Sequence, residues 1–162
     1  MCQIPRGPQM VKLDDIDRKI LRELQKDGRI SNLELSEKVG LSPSPCLRRV
    51  RMLEDTGLIE RYVAVVNPAR VGLGLTVFAR VSLISQDAAS TDHFARCVMS
   101  LPEVIECHLM AGECDFLLRI VTRDLDAYRA FQVEHLTRIE GVRSVKTDIP
   151  MQRIKLTSEL PV

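Results

Sequence analysis

The stretch SNLELSEKVGLSPSPCLRRVRMLE, residues 31–54, predicts two short helices joined by a tight turn. Ser31 and Glu34 have the spacing of a capping box, in which each side chain satisfies a backbone N–H at the start of a helix. Gly40 is expected to end this first helix, because glycine adopts left-handed backbone at little cost. Ser42 is a favourable N-cap for the second helix, which begins with a proline. The pattern is that of a helix-turn-helix.

The second helix of this pair separates its charged side from its apolar side. Cys46, Val50 and Leu53 recur at helical spacing and are expected to be buried. A helix with a basic opposite side is suited to a DNA major groove. We predict DNA contacts from the start of the helix and from its arginines: Ser42, Pro43, Ser44, Pro45, Arg48, Arg49 and Arg51. The alternative is a plain helical hairpin whose charged side only faces water.

Two flanking segments complete the helical region. Residues 13–26 (LDDIDRKILRELQK) carry apolar side chains at helical spacing and acidic residues at their start, which favours a third helix. The strand-like stretch RYVAVV at residues 61–66 predicts a strand after the helices. Residues 10–67 are therefore expected to form a DNA-binding domain, followed by a linker at residues 68–74, which contain one proline and two glycines.

The second half of the sequence, residues 75–162, alternates strand-like and helical patterns. Residues 75–83 alternate aliphatic with mostly polar side chains, which predicts a strand with one buried face. Further strands are expected at residues 104–110, 114–122 and 142–149, and helices at residues 87–100 and 124–139. This β-α-β-β-α-β order is typical of a ferredoxin-like domain of the α+β class, with both helices on one face of an antiparallel sheet. The other face carries Phe78 and is either a surface for a partner, most simply a second copy, or only wetted by solvent.

The composition excludes several classes of protein. The 162 residues are 45% hydrophobic and 28% charged, with a net charge of +1, which indicates a soluble globular protein. No apolar run reaches the length of a membrane span, and the first residues lack the apolar core of a signal peptide, so we expect a cytoplasmic protein. Residues 1–9 are expected to be a disordered leader, with either Met1 or Met10 as the natural start.

The five cysteines indicate neither a disulfide framework nor a metal centre. No C-x-x-C motif occurs. Cys107 and His108 are adjacent in a predicted strand, so their side chains should point to opposite faces. We therefore expect no metal and no cofactor, and we interpret these cysteines as small core or interface residues.

Four segments of the chain together resemble one family of prokaryotic transcription regulators. DRKILRELQKDGRIS and LSEKVGLSPSPCLRRVRMLEDTGLIERY are similar to the DNA-binding half of the Lrp/AsnC family, and ECHLMAGECDFLLRI and DLDAYRAFQVEHLTRIEGV to its effector-sensing half. The resemblance covers residues 13–156. It implies an N-terminal winged helix-turn-helix domain, a ferredoxin-like domain at residues 75–162 that senses a small amino acid, and homodimers that associate into octamers on double-stranded DNA.

The resemblance also implies a position for the effector. It points to the G-x-x-D turn of Gly112, Glu113, Cys114 and Asp115, and to Leu125, Thr137, Asp148 and Ile149. Turn amides can hold a carboxylate and Asp115 can hold an ammonium, which are the two charged ends of an amino acid. Neighbouring apolar residues such as Met110 favour an apolar side chain on the effector. The alternative is a plain hairpin turn, and Glu-Cys stands where relatives often have an aromatic residue before the aspartate.

Three functions compete at this stage. The first is a transcription regulator modulated by an amino acid, and the second is an architectural DNA-binding protein without an effector. The third is a small enzyme that acts on amino acids, but His93, His108 and His135 have no nucleophile at a recognised spacing, and no phosphate loop or dinucleotide fingerprint occurs. We therefore expect that the chain is not an enzyme.

Overall fold

The computed structural model describes residues 11–162, which form two units. The first unit contains residues 11–65 together with Lys155–Val162, and the second spans Val66–Ile154. The leader expected at residues 1–9 and the alternative start at Met10 lie outside the described residues. No helix in the described part of the chain is long and apolar enough to cross a membrane.

Three helices form the first unit: α1 (Asp15–Lys26), α2 (Asn32–Val39) and α3 (Pro43–Asp55). Their shared core consists of buried side chains from all three: Ile20, Leu21, Leu35, Val39, Cys46 and Leu53. The predicted capping box of α2 is confirmed, since Ser31 Oγ accepts the Glu34 N–H at 3.2 Å and Glu34 Oε2 accepts the Ser31 N–H at 3.1 Å. Gly40 ends α2 with a φ of 74°, also as predicted.

The start of α3 differs from the prediction in one detail. Ser42 is the N-cap residue, but its side chain makes no capping hydrogen bond. A capping side chain accepts from the second or third amide of its helix. The first and third residues of α3 are Pro43 and Pro45, which have no N–H. Ser44 therefore carries the one amide donor among the first three residues of the helix.

Residues 61–66 do not form the predicted strand. A strand needs a neighbour for its N–H and C=O groups, and the four-stranded sheet of the described chain includes none of these residues. Val63, Val65 and Val66 are exposed. The prediction of a strand is therefore wrong for the single chain. The following linker contains a short 3₁₀ helix at Pro68–Val71.

The tail segment, Lys155–Val162, groups with the first unit, whereas its position after the last strand led us to expect it in the second domain. Its backbone is held by α1: Arg22 Nε donates to the backbone oxygen of Val162 at 2.6 Å. The Val162 side chain packs against the core of the three helices. No periodicity in the sequence indicates these contacts.

The second unit has the predicted β-α-β-β-α-β order: β1 (Leu75–Leu83), α4 (Ala88–Met99), β2 (Val104–Leu109), β3 (Phe116–Thr122), α5 (Leu125–Glu134) and β4 (Val142–Asp148). The strands pair antiparallel in the order β2-β3-β1-β4. Both helices contribute to one core with the inner sheet face, through buried residues such as Phe94 on α4 and Phe131 on α5. The predicted ferredoxin-like arrangement is confirmed. The second helix is shorter than predicted, because after Glu134 the chain tightens into a 3₁₀ turn at Leu136–Arg138.

The opposite face of this sheet has no covering element among the described residues. Along β1, Val77, Ala79, Val81 and Leu83 are buried, while the residues between them are only half-buried, as the alternation predicts. Phe78 of β1 pairs with Arg119 of β3 and with Asp148 of β4, so these three side chains share the open face. This open face combines an aromatic ring with charged residues.

Candidate DNA-binding and effector-binding sites

The exposed side of α3 presents two arginines next to each other. Ser44, Arg48 and Arg51 are exposed and lie at helical spacing on this side. They contribute to a shallow groove of about 550 Å³, lined by Ser44, Leu47, Arg48, Arg51, Met52, Asp55 and Thr56. Neither Arg48 nor Arg51 has an ion-pair partner within residues 11–162. Both guanidinium groups therefore retain their donors for an external acceptor.

Arg49, which was predicted to contact DNA, points instead at α1. Its Nη1 donates to Asp14 Oδ2 and to Asp17 Oδ1, both at 2.7 Å. Asp17 is buried, and the Asp14 and Asp17 side chains form the capping box of α1. The hydrogen bonds to Asp17 and Asp14 raise the pKa of Arg49. Arg49, on the flank of α3, therefore links α3 to α1 through its Nη1, and its predicted contact with DNA stays a prediction.

The first turn of α3 carries the remaining predicted DNA contacts. Ser42, Pro43 and Ser44 are exposed, and Pro45 is half-buried. Because the Ser42 hydroxyl is not used in a cap, it can donate to an external acceptor such as a phosphate. The prolines lower the number of amides that this helix end can offer to an anion.

Sequence reasoning missed Asn32, which positions the start of α3. Its Nδ2 donates to the backbone oxygen of Pro43 at 2.9 Å and so joins the first turns of α2 and α3. Its Oδ1 is buried and has no partner within the described residues. A composition or periodicity signal for this contact does not exist, because the bond depends on the angle between the two helices.

In the second unit, Asp115 is a buried structural residue. Its Oδ2 accepts the Leu83 N–H at 2.6 Å and its Oδ1 accepts from Gln86 Nε2 at 2.6 Å. Both carboxylate oxygens therefore bind groups at the end of β1. The side chain points into the protein and not out of the turn, an arrangement that weighs against the predicted contact between Asp115 and the ammonium of an effector.

The rest of the turn between β2 and β3 is open to solvent. The Met110 N–H donates to the Asp115 carbonyl at 2.8 Å and closes the hairpin. Gly112 and Glu113 are exposed, with the Glu113 side chain 92% exposed, and Cys114 is half-buried. This turn can therefore offer a polar ligand two kinds of group: its backbone N–H donors and the Glu113 carboxylate.

Arg80 of β1 connects this turn to the last strand. Its guanidinium makes two hydrogen bonds to Asp148, at 2.7 and 2.9 Å, and lies 4.0 Å from Glu113 Oε2. The hydrogen bonds to Asp148 raise the pKa of Arg80. The structure thus brings together two predicted effector residues, Glu113 and Asp148, through an arginine that the prediction did not include.

The other predicted effector residues lie outside the strands: Leu125 begins α5, Thr137 is in the 3₁₀ turn after α5, and Ile149 follows β4. Asp115 is next to Val81, whereas Leu125 follows the strand end at which Thr122 pairs with Leu75. Leu75 and Val81 are six positions apart along β1, which corresponds to about 20 Å. Leu125, Thr137 and Ile149 are exposed. Residues 110–115 and Leu125 therefore do not line one small pocket within a single copy of this unit.

The cysteines and histidines of the described residues do not gather into a cluster with acidic residues. Within residues 11–162, no group of three or more histidine, cysteine, aspartate or glutamate side chains is arranged to hold a metal ion. The Cys97 Sγ lies 3.7 Å from His93 Nε2 on α4, as one isolated pair.

Two protein-family descriptions match consecutive parts of the chain. Residues 13–60 match a family described as winged helix-turn-helix DNA-binding. Residues 76–160 match a family described as the Lrp/AsnC ligand binding domain. The first match covers the three helices, and the second covers the βαββαβ unit and most of the tail segment.

Relatives over nearly the full length agree with these matches. The leucine-responsive regulatory proteins of Escherichia coli K12 and Klebsiella pneumoniae are 45% identical over 150 residues, which is 93% of this chain and 92% of theirs. Among solved structures, a transcriptional regulator from Neisseria meningitidis in complex with L-Met is 42% identical with a TM-score of 0.89, covering 93% of this chain and 97% of that one. An AsnC family transcriptional regulator from Agrobacterium tumefaciens is 41% identical with a TM-score of 0.87, covering 92% and 97%.

Proposed function

The chain belongs to the Lrp/AsnC family of transcription regulators, and from this premise we propose that it binds specific DNA sites through α3 and is modulated by a small apolar amino acid. Its relatives are transcription regulators, so the chain is not an enzyme. The DNA-binding half is the helix-turn-helix unit, and the ligand-binding half is the ferredoxin-like unit.

The proposal for DNA rests on the exposed side of α3. Arg48 and Arg51 have no partner within the described residues, and an arginine in this state can make two hydrogen bonds to the edge of a guanine. Ser42 and Ser44 at the helix start are suited to neighbouring phosphates. We do not include Arg49 in this contact, because its Nη1 donates to two carboxylates of α1 and holds the side chain there.

Fluorescence anisotropy with labelled operator DNA tests this assignment. Arg48→Ala and Arg51→Ala should each weaken binding by roughly 1–3 kcal/mol if they contact bases, and should relax specificity at one base pair. A phosphate contact would instead weaken binding on all sequences and flatten the salt dependence. Lys19→Ala, which removes a charge from the exposed side of α1, is the matched control. Unchanged affinity in both arginine variants would refute the proposed face.

A small apolar amino acid is the effector that best fits the chain. The solved relative from Neisseria meningitidis is a complex with L-Met, and the curated relatives are named leucine-responsive. In this chain, exposed apolar residues adjoin the open turn, namely Leu109 and Met110. We assign the effector's carboxylate to the amides of Gly112, Glu113 and Cys114, and its ammonium to the exposed Glu113 carboxylate rather than to Asp115.

The separation of the predicted effector residues favours a site shared between copies. Leu125 and the turn at residues 110–115 lie at opposite ends of β1, so a pocket that includes both needs a second chain. Self-association is also supported by the open sheet face with Phe78 and by three exposed valines in a segment without a strand partner, Val63, Val65 and Val66. We therefore propose a homodimer that assembles further, with an octamer as the family expectation.

Thermal unfolding of the full chain with each of the twenty amino acids tests the effector. A ligand that binds only the folded state raises the melting temperature as its concentration increases. We expect leucine or methionine to give the largest rise, and Glu113→Gln to reduce it. If no amino acid changes the melting temperature or the affinity for DNA, the chain is an architectural DNA-binding protein and the effector proposal fails.

Sedimentation of the full chain tests self-association. Phe78→Asp replaces the aromatic ring on the open sheet face with a charge that an interface would have to desolvate, and should shift the chain toward smaller species at micromolar concentration. Ala130→Asp changes an exposed residue of α5, on the other side of the sheet, and serves as a control for added charge. A wild-type chain that sediments as a monomer would contradict the proposal.

A further inference from the structure

We propose that α1 and residues 58–65 form a peptide-binding groove on the DNA-binding unit, and that its ligand is the tail segment of the same chain. The tail segment lies against α1 through Gln25, Arg22 and the side chain of Val162. A cavity of about 770 Å³ remains beside the docked segment, and its walls include Leu21, Leu24 and Ile59 as well as Leu160 and Val162 of the tail segment itself. This site has no role in the DNA contact or the effector contact described above.

The groove recognises the peptide backbone through one glutamine. Gln25 Oε1 accepts the Leu160 N–H at 2.6 Å, and Gln25 Nε2 donates to the Leu160 carbonyl at 3.2 Å. Both backbone groups of one residue are thus paired, as they are when an extended peptide joins a neighbouring strand. Arg22 Nε adds a bond to the backbone oxygen of Val162 at 2.6 Å.

An apolar side chain two residues later supplies the specificity. Val162 is half-buried against the core that also contains Leu21, whereas the Leu160 side chain is 69% exposed. In peptide recognition, hydrogen bonds to the backbone commonly provide affinity, and a pocket for a particular side chain provides specificity. The groove therefore fits an extended peptide with an apolar residue at the position of Val162.

Few contacts hold the tail segment, so we expect its docking to be reversible. Three side-chain-to-backbone hydrogen bonds and one half-buried valine hold a segment of eight residues whose other side chains are exposed. Ordering such a segment costs conformational entropy at every residue. The tail segment follows the ligand-binding unit along the chain. When it is docked on α1, that unit is connected to the helices at a second point, in addition to the linker.

Amide hydrogen exchange of the full-length chain tests the groove directly. In the wild type, the Leu160 amide should exchange at least about tenfold more slowly than in a synthetic peptide of residues 155–162 measured in parallel. Gln25→Ala should bring the rate close to that of the peptide, and Gln25→Glu, which keeps the acceptor, should retain part of the protection. Lys19→Ala, also on the exposed side of α1, should leave the rate unchanged.

Two results would overturn the proposal. A wild-type Leu160 amide that exchanges at the rate of the free peptide, or protection that persists in Gln25→Ala, would show that the groove does not hold the segment. The origin of the ligand is checked in a 1:1 mixture of isotope-labelled and unlabelled chains. A nuclear Overhauser effect between Val162 of one copy and Leu21 of another would show that the segment comes from a second chain, which contradicts the assignment.

Discussion

The exposed side of α3 and the turn at residues 110–115 were both predicted to be binding sites from their charged residues. The two regions differ in whether those charged side chains are exposed in the structure. On α3, Arg48 and Arg51 remain exposed. In the turn, Asp115 is buried and both of its oxygens accept hydrogen bonds from the end of β1. A helix fixes the direction of each side chain by its period, whereas a turn residue can point outward or inward. The helical period therefore predicts which charged side chains are exposed, whereas a turn sequence does not.

Two consecutive arginines of α3 show the same difference between an exposed side chain and one that is bound within the unit. Arg48 and Arg49 differ by about 100° around the helix axis, since an α-helix has 3.6 residues per turn. That rotation moves Arg49 from the exposed side to Asp14 and Asp17 of α1. The helical period could have separated the two, but the acidic partner on α1 was visible only in the fold.

Asp115→Ala should have the largest effect on stability. It leaves the buried Leu83 N–H without a partner and removes a hydrogen bond to a charged group, so the free energy of unfolding should fall by roughly 2–3 kcal/mol. Urea denaturation of the full chain measures this. Glu113→Ala, in the exposed part of the same turn, should change the free energy of unfolding by less than about 0.5 kcal/mol. Equal effects of the two variants would mean that Asp115 does not have the structural role described here.

Local signals in the sequence predicted much of the fold. The capping box at Ser31 and Glu34 and the stop at Gly40 depend only on neighbouring residues, and both are confirmed. The alternation along β1 and the order of strands and helices in the second unit are confirmed for the same reason. These features follow from short-range geometry, which a sequence contains.

Contacts between distant residues could not be predicted in this way. The tail segment binds α1 across more than 130 residues of sequence, as in the Leu160–Gln25 pair with a separation of 135. Residues 61–66 have a strand-like pattern, but no neighbouring strand is present in the described chain. Asn32 reaches Pro43 only because α2 and α3 meet at a particular angle.

Asn32→Ala should have a moderate effect on DNA binding. Loss of the 2.9 Å hydrogen bond to the Pro43 carbonyl frees the start of α3, and a hydrogen bond of this kind contributes about 1 kcal/mol. We expect operator affinity to fall by about fivefold, measured by anisotropy. Asn32→Gln tests whether the position of the amide matters. An affinity equal to that of the wild type in Asn32→Ala would show that the bond does not position the helix.

A smaller effect is expected at low pH from Asp87, the N-cap of α4. Hydrogen bonds from the Ser85 hydroxyl, and then from the Ser90 N–H and hydroxyl, lower the pKa of Asp87 from 3.8 to about 2. Because the pKa is lowered by folding, its contribution to stability is present above pH 3.8 and is lost as the pH falls toward 2. Between pH 4 and 2, Asp87→Asn should lose less stability than the wild type in urea denaturation. Parallel pH profiles would exclude this contribution.

The central claim is that DNA recognition depends on the arginines that the fold leaves exposed, and its most direct test is the operator affinity of Arg49→Ala beside that of Arg48→Ala. Both variants should be measured by anisotropy at a temperature where circular dichroism shows each to be folded. We predict that Arg48→Ala weakens binding by about tenfold or more, whereas Arg49→Ala stays within about twofold of the wild type and shows its loss in thermal stability instead. If Arg49→Ala loses as much affinity as Arg48→Ala while its melting temperature is unchanged, the assignment of the recognition surface is wrong.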